Sequence, residues 1–277
     1  CSADAMSRIE VKNLDAWVGG FMRARKLEHR IVYDRKQDGA LQAWQSALAT
    51  KDATLDLSDS FYSDELEQVV LAQGLTTLDQ YRTARRIGRG VILSRAKRDA
   101  VWPVFEEYRG QLASRKLKEV DDAYREIAEM IATEQGSELG YAAIVIDETQ
   151  DFGPQALKLL RAMIAHGPND LFFVGDGHQR IYSRNRAAMS RCGIDIRGRS
   201  RKLYLNYRTT DEIRRQAVAL LEACEIDDLD DGHDESKRYK SLSHGPAPEV
   251  RKTSGLEEAS QAAIGFIQQW RSAQAEN

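Results

Sequence analysis

The sequence predicts an α/β fold, with a parallel-sheet core preceded by a mostly helical stretch. Residues Tyr141 to Ile146 form an apolar run without alternation, as suits a strand buried on both faces, and the run stops abruptly at Asp147-Glu148. A second such run, Leu171 to Val174, ends in Gly175-Asp176. Their starts lie about 30 residues apart, and the helical pattern between them fits a right-handed crossover joining parallel strands. From about residue 31 to about residue 118, apolar positions recur at helical rather than alternating spacing.

The elements follow in order. Ile9 to Val11 reads as a short strand, and the next helix sets Leu14, Trp17, Val18, Phe21 and Met22 on one face. In the helical stretch, one helix runs from about Ser63 through Leu66, Val69, Val70 and Ala72 to a stop at Gly74, and a second begins near Asp79. A third spans about Val101 to Leu117 and starts close to Pro103, since proline suits a first turn and not an interior. Tyr124, Ile127, Ala128 and Ile131 mark an amphipathic helix over Asp121 to Thr133, closed by Gly136 and Gly140. Gly153-Pro154 opens the crossover helix, which breaks at Gly167-Pro168. Lys202 to Leu205 reads as a third strand leading into Asn206-Tyr207-Arg208. Thr209 to Glu212 has capping-box spacing and starts a helix to Ala223. A strand around Val250 lies between flanking prolines, and Ser254 to Glu257 repeats the box before a last helix ending near Trp270.

Composition narrows the class. With 277 residues, 42% hydrophobic and 30% charged, the chain is of ordinary globular composition, which excludes global disorder and collagen. No run approaches the ~18 apolar residues of a membrane span, so the expected address is cytoplasmic with no membrane partner. Cys1, Cys192 and Cys224 form no CxxC pair, and the histidines lack metal-ligand spacing. The chain opens on Cys1 ahead of its first methionine, Met6, and reads as part of a longer protein. The net charge of −3 conceals polarisation: eleven Lys/Arg against five Asp/Glu between Thr76 and Val120, and eleven against three between Arg180 and Arg215. Glu222 to Glu235 carries eight acids and no base. Basic blocks of this kind either line a polyanion site or form solvated helix faces.

Ligands of open α/β sheets bind beyond the carboxyl ends of the strands, where Asp147, Glu148 and Asp176 stand. A carboxylate there can hold Mg²⁺ through water, and a second beside it can deprotonate a water for attack on phosphate. Asp147 suits the first role and Glu148 the second. The plain alternative is that these acids cap the following helix.

Three segments then carry a resemblance. Ile-Val-Ile-Asp-Glu-Thr-Gln-Asp-Phe (144–152), Phe-Val-Gly-Asp-Gly-His-Gln-Arg-Ile-Tyr (173–182) and Leu-Tyr-Leu-Asn-Tyr-Arg-Thr-Thr (203–210) resemble, in order and spacing, three motifs of the UvrD/Rep-like superfamily 1 DNA helicases. The resemblance implies a P-loop NTPase (RecA-like) parallel-sheet core, with residues 1–30 and 119–205 in the first motor domain. Residues 31–118 would form a helical insertion subdomain, and 206–277 the start of a second RecA-like domain. It also implies ATP and Mg²⁺ as cofactors, with Asp147 on the metal, Glu148 as base, Gln179 at the γ-phosphate, Tyr207 on adenine and Arg208 as a finger on the phosphoryl oxygens. Tyr182, Arg184, Asn13 and Asp15 fall at nucleic-acid-contacting positions, although relatives commonly have tryptophan where Arg184 stands.

The implied activity is ATP-driven movement, 3′ to 5′, on single-stranded DNA or 3′-tailed duplex DNA. No Gly-x-x-x-x-Gly-Lys-Ser/Thr loop occurs in the sequence, so the reading is of a partial motor that does not hydrolyse ATP alone. The competing reading is a non-hydrolysing nucleic-acid-binding or regulatory module on a degenerate helicase scaffold.

Overall fold

A computed structural model describes residues 6–37, 39–133, 139–179, 188–221 and 239–275. They form two compact units, one up to Ser200 and one whose described residues begin at Arg201.

The first unit opens with α1 (Leu14–Ala24), on which Val18 and Met22 are buried as the periodicity predicts. The strand expected over Ile9 to Val11 is not formed: both side chains face solvent, and no described strand pairs with this backbone. Two strands that hydropathy did not disclose, β1 (Arg30–Val32) and β2 (Leu117–Glu119), pair in parallel with Arg30 opposite Leu117. The chain therefore leaves and re-enters this ladder around a helical segment of α2 (Ala40–Leu48), α3 (Asp59–Glu65), α4 (Leu78–Thr83) and α5 (Arg95–Ser114).

Caps explain where these helices begin. Ser58 accepts from Phe61 N, Thr77 and Gln80 form a reciprocal box, and Ser94 accepts from Lys97 N. α3 runs on into a π-helical turn, Leu66–Leu71, whose Leu66, Val69, Val70 and Leu71 are all buried, and the helical path ends at Gly74 with φ +67°. Pro103 is interior to α5 and does not start it. The proline stands on the exposed side of the helix. The segment has its own core, in which Trp102 stacks on Tyr81 at 5.5 Å and Phe105 meets both rings edge-on.

A second core joins α1 to α6 (Val120–Thr133), β3 (Ile144–Ile146), α7 (Pro154–Ala162) and β4 (Leu171–Phe173). Pro154 occupies the first turn of α7, as predicted. β3 and β4 are parallel, with Ile144 opposite Leu171 and Val145 opposite Phe172, which is the expected crossover. Gly140 has φ +69°, while Gly136 lies outside the described residues. Polar bonds tie the two cores: Gln155 Nε2 donates to Ala72 O at 2.8 Å, and the Arg109 guanidinium to both Asp122 oxygens at 3.0 and 2.8 Å.

Burial on both faces of the sheet is not realised. Ile144, Ile146, Leu171 and Phe173 turn toward the core, but Val145 and Phe172 are 70% and 62% exposed. The described sheets are two-stranded, and this one packs its Ile144, Ile146, Leu171 and Phe173 face on the core. The architecture is a mixed α/β domain of small parallel sheets and helices, consistent with a helicase domain; among the described residues, no broad RecA-like sheet is present.

In the second unit, β5 (Leu205–Asn206) pairs in parallel with β6 (Lys240–Ser241), and α8 (Asp211–Ala219) packs against β6; the last helix is α9 (Leu256–Ala275). The expected Lys202–Leu205 strand is thus shorter and shifted. Thr210, not Thr209, caps α8, because Thr209 is held by Asn206. The helix stops before Ala223, which lies outside the described residues. Val250 lies in irregular backbone rather than a strand and is 70% exposed. α9 extends past Trp270, and Ser254 bonds Glu258 instead of Glu257. Among the described residues, no helix is long and apolar enough to cross a membrane.

Candidate functional site

The end of β3 is shaped by its neighbour. Val174 N donates to Ile146 O at 2.8 Å, and the carbonyl of Val174 accepts from both Thr149 N (2.9 Å) and Thr149 Oγ1 (2.8 Å). To make this turn the chain passes through a left-handed conformation at Glu148, φ +52° and ψ 44°. A non-glycine residue there costs about 1–2 kcal/mol, which the surrounding hydrogen bonds must offset. Thr149 and Gln150 are buried while Asp147 and Glu148 are exposed, so the turn anchors itself with its neutral members and presents its acids. Asp147 Oδ1 also accepts from Glu148 N at 2.9 Å.

Gln150 joins the two strand ends. Its Nε2 donates to Glu148 Oε2 at 2.7 Å, and its Oε1 accepts from Asp176 N at 2.9 Å. Beyond β4, Asp176 organises a single 3₁₀ turn, Gly177–Gln179: Oδ1 accepts from His178 N at 3.0 Å, and Oδ2 from Gln179 Nε2 at 2.9 Å. Asp147, Glu148 and Gln179 therefore share one edge of the β3–β4 sheet. Hydropathy and motif reading passed over Gln150 and Gly175. A Cβ on Gly175 would lie 2.9 Å from Gln150 Oε1 and 3.1 Å from Thr149 N, so only glycine lets the loops close. The available signal was a glycine directly after a strand and a glutamine inside an acidic run.

No group of three or more metal-ligating side chains occurs among the described residues. Two adjacent exposed carboxylates instead suit a cation that keeps most of its water, as Mg²⁺ does.

In the second unit, Asn206 Oδ1 accepts from Arg208 N at 2.8 Å and from Thr209 N at 3.3 Å, while its Nδ2 donates to Thr209 Oγ1 at 2.6 Å. This Asx turn fixes the backbone that bears Tyr207 and Arg208. Tyr207 is 75% exposed, which is not the setting of a core ring, and Arg208 is exposed too.

Two of the four positions read as nucleic-acid contacts have structural partners. Asn13 caps α1 by accepting from Asp15 N and Ala16 N, and Asp15 accepts from the Tyr124 hydroxyl. Tyr182 and Arg184 lie outside the described residues.

Six bases of the first block pair with acids, most of them from outside it. Arg82 pairs with Asp99 and Asp79, Arg86 and Arg89 with Glu65, Arg109 with Asp122, Lys116 with Glu28 and Lys118 with Glu126. Arg98 donates to the carbonyls of Tyr81, Arg82 and Ala84. Arg85, Arg95 and Lys97 are exposed.

The family model of the UvrD/REP helicase N-terminal domain matches residues 17–192. This chain belongs to the UvrD/REP helicase family. A search among curated proteins finds no match. The part of this helicase chain that the family model spans holds the whole helical segment, both strand ends with Asp147, Glu148 and Gln179, and the Gln150 bridge. Tyr207 and Arg208 come after it.

Proposed function

We propose that this chain is part of an ATP-driven motor that moves on single-stranded DNA, with 3′-to-5′ direction by analogy with its family. The supporting observation is the pair of exposed acids at the end of β3, backed by an adjoining loop that holds Gln179 through Asp176. In this reading Asp147 holds magnesium through water, and the ion neutralises charge on the phosphates when bound. Glu148 accepts the proton of the attacking water. Gln179, neutral and able both to donate and to accept, orients that water against the γ-phosphate. Arg208 gives a planar donor fork to charge building on the phosphoryl oxygens, and Tyr207 gives a flat face to adenine.

A triphosphate also needs a cradle of backbone N–H groups and a lysine, and the sequence contains no such loop. A second reading is a nucleic-acid-binding module that does not hydrolyse ATP. ATP hydrolysis with and without single-stranded DNA separates the two, measured on this chain and on the whole product of its open reading frame. The motor reading expects DNA-stimulated turnover in the whole product that falls at least about a hundredfold in Glu148→Gln, the range of a lost general base. Unchanged turnover in that variant would remove Glu148 from its role. No turnover in the whole product would favour the module.

A further inference from the structure

We infer that Gln150 is a positioning residue that couples the Glu148 carboxylate to the Asp176–Gln179 loop; as a statement about catalysis this rests on the reading of Glu148 above. Gln150 is 2% exposed and both ends of its amide are engaged, Nε2 on Glu148 Oε2 at 2.7 Å and Oε1 under Asp176 N at 2.9 Å. Chemistry fixes the amide's orientation. A carboxylate only accepts and a backbone N–H only donates, so a flipped amide would lose both bonds.

Glutamate could not serve, because it would set a second carboxylate against Glu148 at hydrogen-bond distance. Shorter side chains could not span the two loops. Gly175 enforces the same arrangement from the other side, since any Cβ there would meet Gln150 Oε1 at 2.9 Å.

The bridge continues. Asp176, whose N–H is held by Gln150, holds the Gln179 amide at 2.9 Å and the His178 N–H at 3.0 Å. A relay therefore runs Glu148–Gln150–Asp176–Gln179, from the proposed base to the proposed γ-phosphate sensor, through side chains and a backbone amide with fixed donor and acceptor roles. Through it, a change at Gln179 re-aims the Glu148 carboxylate, whose own backbone is left-handed at φ +52° and therefore poorly served by local geometry alone.

Resonances of the isotopically labelled chain test this without nucleotide. In Gln150→Met, which keeps side-chain volume and removes both bonds, the Asp176 amide should exchange at least tenfold faster, while the Thr149 amide, held by Val174 O, keeps its protection. Gly175→Ala should reproduce that loss. Glu148→Ala should move the Gln179 side-chain NH₂ resonance in the otherwise native chain and leave it in place in the Gln150→Met background.

An equal movement in both backgrounds, or unchanged Asp176 exchange in Gln150→Met, overturns the coupling. Failure of the base assignment appears elsewhere, as unchanged hydrolysis in Glu148→Gln, so the two results are read separately.

Discussion

Glu65 shows what a single buried charge does in this protein. It has no exposure, and its carboxylate accepts from Arg86 Nε at 2.6 Å, Arg86 Nη2 at 2.9 Å, Arg89 Nε at 3.1 Å and the Tyr81 hydroxyl at 2.9 Å. Burial, and then the neighbouring carboxylate, push the Tyr81 hydroxyl above the ordinary tyrosine range, so it stays a donor. Removing the acid leaves Arg86, 7% exposed, with the Val91 carbonyl alone, and Arg89, 10% exposed, with the longer contacts to Asp64, Gln68 and the Phe61 carbonyl. Glu65→Ala should therefore lose about 3–5 kcal/mol of stability, read from urea unfolding, and a loss under about 1 kcal/mol would mean that water reaches both arginines. Such a residue is illegible in sequence: Glu65 sits among polar neighbours on a helix, and only the fold brings Arg86 and Arg89 back to it. Asp147 and Glu148 were legible because their meaning lies in following a strand directly. Gln150 was not, because its partner Asp176 arrives from the next strand.

At the scale of elements, helices were read better than strands. The face of α1, the proline start of α7 and the start of α4 near Asp79 are local patterns, set by spacing of three or four residues along one chain. β1 and β2 escaped notice because three residues have too little alternation to register, and their existence depends on each other across the whole helical segment.

α8 supports a prediction of its own. Glu212 near its start bonds His244 Nδ1 at 3.0 Å and the Gly245 N–H at 2.9 Å, and these two contacts, the histidine first, hold its carboxyl down from 4.5 to about 2. A carboxyl lowered in the folded state stabilises above its ordinary value and loses that contribution as pH falls toward the lowered one. Protection of the α8 amides, corrected for intrinsic exchange, should therefore drop between about pH 4.5 and about pH 2 in the native chain and change less in Glu212→Gln. An identical profile in both chains would place the acid sensitivity elsewhere.

For the whole molecule, the charge count overstated the positive surface. Eleven bases between Thr76 and Val120 suggested a polyanion path, yet Arg82, Arg86 and Arg89 pair with acids inside the helical segment, and Arg109, Lys116 and Lys118 with acids outside it. Arg85, Arg95 and Lys97 are exposed, as is Lys116, whose partner Glu28 is exposed too. Replacing Arg85, Arg95 and Lys97 with alanine should lower the salt slope of single-stranded oligonucleotide binding by about 0.7 per lost phosphate contact. Arg82→Ala or Arg109→Ala should leave the slope and lower the unfolding midpoint. Fluorescent oligonucleotide titrations at two ionic strengths, beside urea melts, measure both; a steeper loss of slope in Arg109→Ala would restore the whole block to the binding path.

By itself the sequence determined the α/β class, the crossover between β3 and β4, the helical segment ahead of it, and the family through motifs whose residues lie within ten positions of one another. Each is written in contacts between near neighbours, where spacing is geometry. The tertiary structure alone decided which charges neutralise each other, which face of the β3–β4 sheet stays bare, and that Gln150 binds the two strand ends together. Those outcomes depend on which distant segments fold back into reach, and hydrogen bonds and ion pairs act only over a few ångströms.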